Sequence, residues 1–122
     1  MKNLMIALVA IVALTIDVKA QQATDSLTYT KDGMAVAKIK TSAVCDMCKE
    51  TLEKAMAYEK GVKKSDLHVD SKILTVTFDP KKTSLDKIRV AITKTGYDAD
   101  NLQADKNAYE NIDPCCKKDA VH

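Results

Sequence analysis

From Met34 to Lys40 apolar and polar positions alternate: Ala35, Ala37 and Ile39 fall on one side, and Val36, Lys38 and Lys40 on the other. A period of two over this length predicts a half-buried strand. Between Met47 and Tyr58 the period lengthens. Cys48, Leu52, Ala55 and Met56 line one stripe of a helix, while Lys49, Glu50, Glu53 and Lys54 face away from it. Gly61 stops that helix. Val62 to Val69 then predicts a weaker strand with Ser65, Leu67 and Val69 on one face, and Asp70-Ser71 a turn. Ile73 to Phe78 is the clearest strand, with Leu74, Val76 and Phe78 alternating against Ile73, Thr75 and Thr77. Beyond Pro80, Ser84 caps a second helix whose Leu85, Ile88, Ala91 and Ile92 recur at helical spacing until Gly96 closes it. Tyr97 to Leu102 predicts a last short strand.

The order strand, helix, strand, strand, helix, strand predicts an α+β fold, a ferredoxin-like βαββαβ sandwich with two helices on one face of a four-stranded antiparallel sheet. Residues 34–102 carry it. Residues 21–33 are polar and aperiodic and read as a flexible lead-in. Residues 103–122 form a C-terminal tail, in which Asp105 to Ile112 predicts a short helix ahead of Pro114 and the Cys115-Cys116 pair.

The first twenty residues have the make-up of a secretory signal: Lys2, an apolar run from Leu4 to Ile16, and Val18-Lys19-Ala20 as a cleavage site. That run is shorter than the roughly 20 residues a spanning helix needs. The expectation is therefore a periplasmic or secreted chain, with no stable membrane anchor after cleavage, that folds as one domain and stays a monomer. The formal net charge of +2 falls to +1 when Lys2, Lys19 and Asp17 leave with the signal. So balanced a charge argues against a nucleic-acid partner. The chain has no Trp, one Phe and four Tyr, too few aromatics for a base-stacking surface.

Candidate chemistry rests on four cysteines, Cys45, Cys48, Cys115 and Cys116, set as two tight pairs rather than as a spread disulfide framework. Cys45-Asp46-Met47-Cys48 lies between a predicted strand and a predicted helix start, where free backbone N–H groups and the helix dipole lower thiol pKa. A thiolate pair so placed can close on one soft ion. Two sulfurs alone suit an ion content with two-coordinate geometry, which Cu(I), the expected ion, and Hg(II) both accept, whereas Zn(II) requires further ligands. The same spacing also serves thiol–disulfide exchange, and an oxidising compartment favours that rival reading of a small exported redox protein. No residue is expected to be catalytic, and the chain is not expected to be an enzyme.

Cys45-x-x-Cys48 after the first strand, the helix Lys49 to Tyr58, Gly61-Val62 before the second strand and Gly96-Tyr97 before the last resemble a heavy-metal-associated domain. That family includes small copper chaperones, metal-ATPase N-terminal domains and the periplasmic mercury-binding protein. The resemblance spans Met34 to Leu102. It implies Cys45 and Cys48 as metal ligands, and transfer of the ion by docking on a metal-transport protein or another metal-binding domain, without covalent catalysis. One departure concerns the motif's opening. Where the family has Gly-Met-x-Cys, this chain has Ser42-Ala43-Val44-Cys45, so the methionine that packs under the loop is replaced by Ala43, which puts loop rigidity in question. Met47 is expected to be exposed rather than a ligand, and His68 to be a surface residue. Tyr97 is a candidate shield for the metal or an ordinary core aromatic. Cys115 and Cys116 are candidates for a third or fourth sulfur, or for a second site with His122, provided that the tail doubles back.

Overall fold

The computed structural model describes residues 27–118, over which the chain runs β1 (Thr28–Tyr29), β2 (Ala35–Lys40), α1 (Asp46–Tyr58), β3 (Val62–His68), β4 (Ile73–Phe78), α2 (Leu85–Thr95) and α3 (Lys106–Asn111), ending in a 3₁₀ turn, Pro114–Cys116. The predicted signal and His122 lie outside the described residues. The strands form one antiparallel sheet in the order β1-β2-β4-β3. Ala35, Ala37 and Ile39 of β2 and Leu74, Val76 and Phe78 of β4 are buried, as their alternation predicts. The core-facing stripe of α1, Cys48, Leu52 and Met56, and that of α2, Leu85, Ile88 and Ile92, join them in one core. This is the ferredoxin-like fold that the element order predicts. Among the described residues no helix is long and apolar enough to cross a membrane.

The outer edge of β2 departs from the prediction. Tyr97 to Leu102 is not a strand; it makes only isolated bridges, Thr41 with Ala99 and Ala99 with Leu102. Its acidic residues divert it into a tight turn. Ala99 and Leu102 exchange both backbone hydrogen bonds at 2.9 Å, and Asp100 takes a left-handed conformation, φ 50°. Asp98 Oδ1 then accepts from the backbone N–H of Ala104. Short polar side chains of this kind compete with a strand ladder for backbone partners. The rest of the edge is filled from the predicted lead-in, where Thr28 pairs with Val36 and Tyr29 with Ala35. The fourth strand of the sheet is thus β1 rather than a C-terminal strand.

The end of α2 positions everything downstream. Ser84 Oγ accepts from the Lys87 N–H at its start, and Gly96 at φ 109° ends it, its N–H reaching the carbonyls of Ile92 and Thr93. A left-handed residue here turns the chain toward the start of α1, and glycine takes that conformation without a Cβ penalty.

Candidate metal centre

Cys45 occupies the N-cap of α1 in extended backbone (φ −149°, ψ 171°), and its carbonyl accepts the Lys49 N–H at 3.0 Å. Cys48 follows inside the first turn. One residue stands at the mouth of the helix, half exposed, and the other is fully buried against the core. Both are free thiols, with Sγ atoms 2.9 Å apart.

The loop that carries Cys45 lacks the family's packing methionine, and hydrogen bonds hold it in that residue's place. Buried Thr41 Oγ1 donates to the Lys72 carbonyl at 2.8 Å and accepts from the Ala43 N–H at 3.2 Å. Ser42 Oγ accepts from the Asp98 N–H at 2.8 Å. Ala43 itself is fully buried. The loop is therefore fixed from both sides, by the β3–β4 turn and by the segment after α2.

The tail returns to the same end. It need not retrace the length of a strand, because the turn at Ala99–Leu102 keeps it beside Thr41. Asp105 donates its N–H to the Thr93 carbonyl and caps α3 by accepting from the Ala108 N–H. Lys118 pairs with Asp98 at 2.7 Å and donates its backbone N–H to Tyr109 Oη. Between these anchors the Pro114–Cys116 turn lays Cys116 Sγ 3.6 Å, and Cys115 Sγ 4.0 Å, from Cys45 Sγ. The sulfurs of Cys45, Cys115 and Cys116 lie within 4.8 Å of one another. Cys116 is buried, whereas Cys115 is partly exposed and its thiol donates to Met47 Sδ at 3.6 Å.

Burial raises the Cys45 thiol, but hydrogen bonds with the Cys48 side chain and backbone, then with Cys116 and Cys115, outweigh it and leave Cys45 below the ordinary thiol value. Burial pushes Cys116 strongly up, as do the neighbouring sulfurs of Cys48 and Cys45. Cys115 is also raised, by desolvation and then by Cys45. Of these three, the surroundings thus favour the thiolate at Cys45 and the neutral thiol at Cys115 and Cys116 in the metal-free protein. Tyr97 is packed beneath, 1% exposed, with its hydroxyl buried and without a hydrogen-bond partner among the described residues. Burial first, then Cys116 and Cys48, hold that phenol far above its ordinary value.

Of the residues singled out from sequence, Cys45, Cys48, Cys115, Cys116 and Tyr97 are brought together. His68 is exposed, its ring bonding locally to Ser71, and Met47 is exposed, both as expected. The anchoring residues Thr41, Ser42, Asp98 and Asp100 escaped sequence reasoning. The signal for the last two was present in the acidic run Asp98-Ala99-Asp100-Asn101, which favours a turn over a strand.

Sulfurs converging at a helix mouth on a ferredoxin-like sheet define a small thiol-bearing metal-binding domain. The chain belongs to the heavy-metal-associated domain family, which matches residues 36–98. It is 35% identical over 97 residues to a mercuric transport protein periplasmic component of an Alcaligenes species, covering 80% of this chain and 93% of that one. The copper chaperone CopZ of Staphylococcus haemolyticus is 32% identical over 54 residues, 44% of this chain and 79% of the chaperone. A solved CopZ metallochaperone superposes with a TM-score of 0.51 at 25% identity, covering 52% of this chain and 97% of that one.

Proposed function

We propose that this protein is an exported carrier for a soft heavy-metal ion, which it takes up on Cys45 and Cys48 and passes to a metal-transport protein or another metal-binding domain. The observation that carries this reading is the placement of Cys45 and Cys48 at the start of α1, with the Cys45 thiol held below its ordinary value by its sulfur neighbours. A thiolate is the competent ligand, and the incoming ion meets the partly exposed Cys45 first and the buried Cys48 second. Any sulfur still protonated releases its proton as it binds, and the 2.9 Å sulfur separation opens around the ion. Transfer onward reverses these steps as a partner's thiolates replace them one at a time. Apart from the S–H bonds that lose their protons to solvent on binding and regain them on release, only metal–sulfur bonds are made or broken, and no catalysis is required. Tyr97, packed under the cluster, excludes water from the buried side of the ion.

The cargo we favour is Hg(II), because the relatives matching most of the chain are mercuric transport proteins, which are also periplasmic. Cu(I), which two sulfurs suit equally, is the second reading and draws on the likeness to copper chaperones. Family membership lends no support to the thiol–disulfide alternative.

The test is anaerobic titration of the reduced full chain with Hg(II) and, separately, with Cu(I), beside a Cys45→Ser/Cys48→Ser variant. One ion bound per chain and lost in the variant is the expected result. A chain that binds neither ion but exchanges disulfides through Cys45 would overturn the proposal in favour of redox work.

A further inference from the structure

The tail cysteines lie outside the matched family segment, residues 36–98, yet the structure packs them against its metal-binding motif. We infer that residues 105–118 form a built-in ligand arm: Cys115 and Cys116 complete a site of three or four sulfurs with Cys45 and Cys48, suited to one thiophilic ion of higher coordination number. The inference rests on the carrier reading above and specifies how its ion is held.

Geometry carries it. Sulfurs bonded to one ion at about 2.3 Å stand about 3.8 Å apart in tetrahedral coordination and about 4.0 Å apart in trigonal coordination. Cys45 lies 3.6 Å from Cys116 and 4.0 Å from Cys115, with all three sulfurs within 4.8 Å of one another. The spacing is thus already that of ligands on a shared ion, whereas the Cys45–Cys48 pair must open to admit one.

The arm is seated, not merely nearby. Ile112 packs on the core, and α3 crosses so close to Gly96 that a Cβ there would meet Ile112 Cγ2 at 2.6 Å. The Asp105–Thr93 and Lys118–Asp98 contacts fix the arm at both ends. Adjacent cysteines seldom bond to each other without strain, so the pair remains available as two separate donors.

Two sulfurs suffice for Cu(I) or Hg(II), but a third and fourth extend the site to Cd(II) and Zn(II) and hold Hg(II) more firmly. Release then requires that a receiving protein displace the tail before its own thiolates reach the ion. The arm makes the carrier retentive until it docks.

Cd(II) is the probe, since its sulfur-to-metal charge-transfer absorbance and its NMR shift both report the number of bound thiolates. The reduced full chain is expected to give three or four Cd–S bonds. A Cys115→Ser/Cys116→Ser variant should give two, with affinity lower by about 10–100-fold in competition with a chelator, the scale reached even when an outer partner of a ligand is lost. An Ile112→Asp variant, which alters no sulfur but unseats the arm, should also fall to two, with thermal unfolding checking that the domain stays folded. Two Cd–S bonds in the unaltered chain, unchanged in the serine variant, would overturn the ligand arm and leave the carrier reading intact. No binding of Cd(II), Hg(II) or Cu(I) by the unaltered chain would overturn both.

Discussion

Ile112 occupies the space that a side chain on Gly96 would need: a Cβ at Gly96 would fall 2.6 Å from Ile112 Cγ2 and 3.0 Å from the Ala108 carbonyl oxygen. The glycine that ends α2 is therefore also the floor on which the tail rests. Gly96→Ala meets two penalties, a left-handed backbone at φ 109° and displacement of α3. Together they should cost about 1–3 kcal/mol in urea denaturation. The same substitution should expose Cys116, now 2% exposed, to thiol reagents. An unchanged unfolding midpoint would mean that the tail shifts aside freely.

Thr41 does the work that a packing methionine does elsewhere in the family. Its hydroxyl links the Lys72 carbonyl to the Ala43 N–H within a buried loop. Thr41→Val keeps the shape and leaves both groups without that partner, which should cost about 1–3 kcal/mol. Loosening the loop should also weaken metal binding, since Cys45 is carried on it. Affinity measured by chelator competition separates this effect from stability, and unaltered affinity would show that the loop's order does not depend on Thr41.

The buried hydroxyl of Tyr97 has no hydrogen-bond partner among the described residues, so Tyr97→Phe should stabilise the metal-free protein by about 1 kcal/mol at neutral pH. The pH dependence follows from its raised ionisation. Folding favours the neutral phenol, and that preference costs nothing below the ordinary value of 10.0. Above it the unfolded chain ionises while the folded one does not, so stability is lost as pH rises. The Phe variant should lack this part of the alkaline loss, which unfolding midpoints from pH 7 to pH 11 would reveal. Equal slopes for both proteins would refute the assignment.

The sequence carries the sheet's centre and both main helices openly, because each buries one face and so shows an unbroken period. Leu74, Val76 and Phe78 could hardly be read otherwise. The edge is less legible. Thr28 and Tyr29 are exposed and join the sheet only through backbone pairing with Val36 and Ala35, which leaves no pattern in side chains. Tyr97 to Leu102 misleads for the opposite reason: its apolar residues Tyr97 and Ala99 are buried, yet Asp98 and Asp100 spend their carboxylates on backbone N–H groups and bend the chain. The Cys45–Cys48 pair is legible from its spacing. The approach of Cys115 and Cys116 depends on where that bend sends the tail, and no local motif encodes it.

Asp100 offers the sharpest test of the bend. Its Oδ1 accepts from the Lys40 N–H at 2.9 Å, its Oδ2 from Arg89 Nε at 2.9 Å, and its own N–H reaches the Lys40 carbonyl at 2.8 Å. One residue thus stands in for a strand partner at the end of β2, through a side chain as well as a backbone. Asp100→Ala removes the acceptor and sets an unhelped side chain at φ 50°, which should cost about 1–3 kcal/mol. Asn at this position tolerates the left-handed conformation and keeps an acceptor for Lys40, so it should recover most of that loss. Gly relieves the backbone alone and should fall between Asn and Ala. Denaturation midpoints in the order Asp, Asn, Gly, Ala would assign the bend to the carboxylate and its backbone together. If Gly matched Asp, conformation alone would account for it, and the hydrogen bond to Lys40 would be incidental.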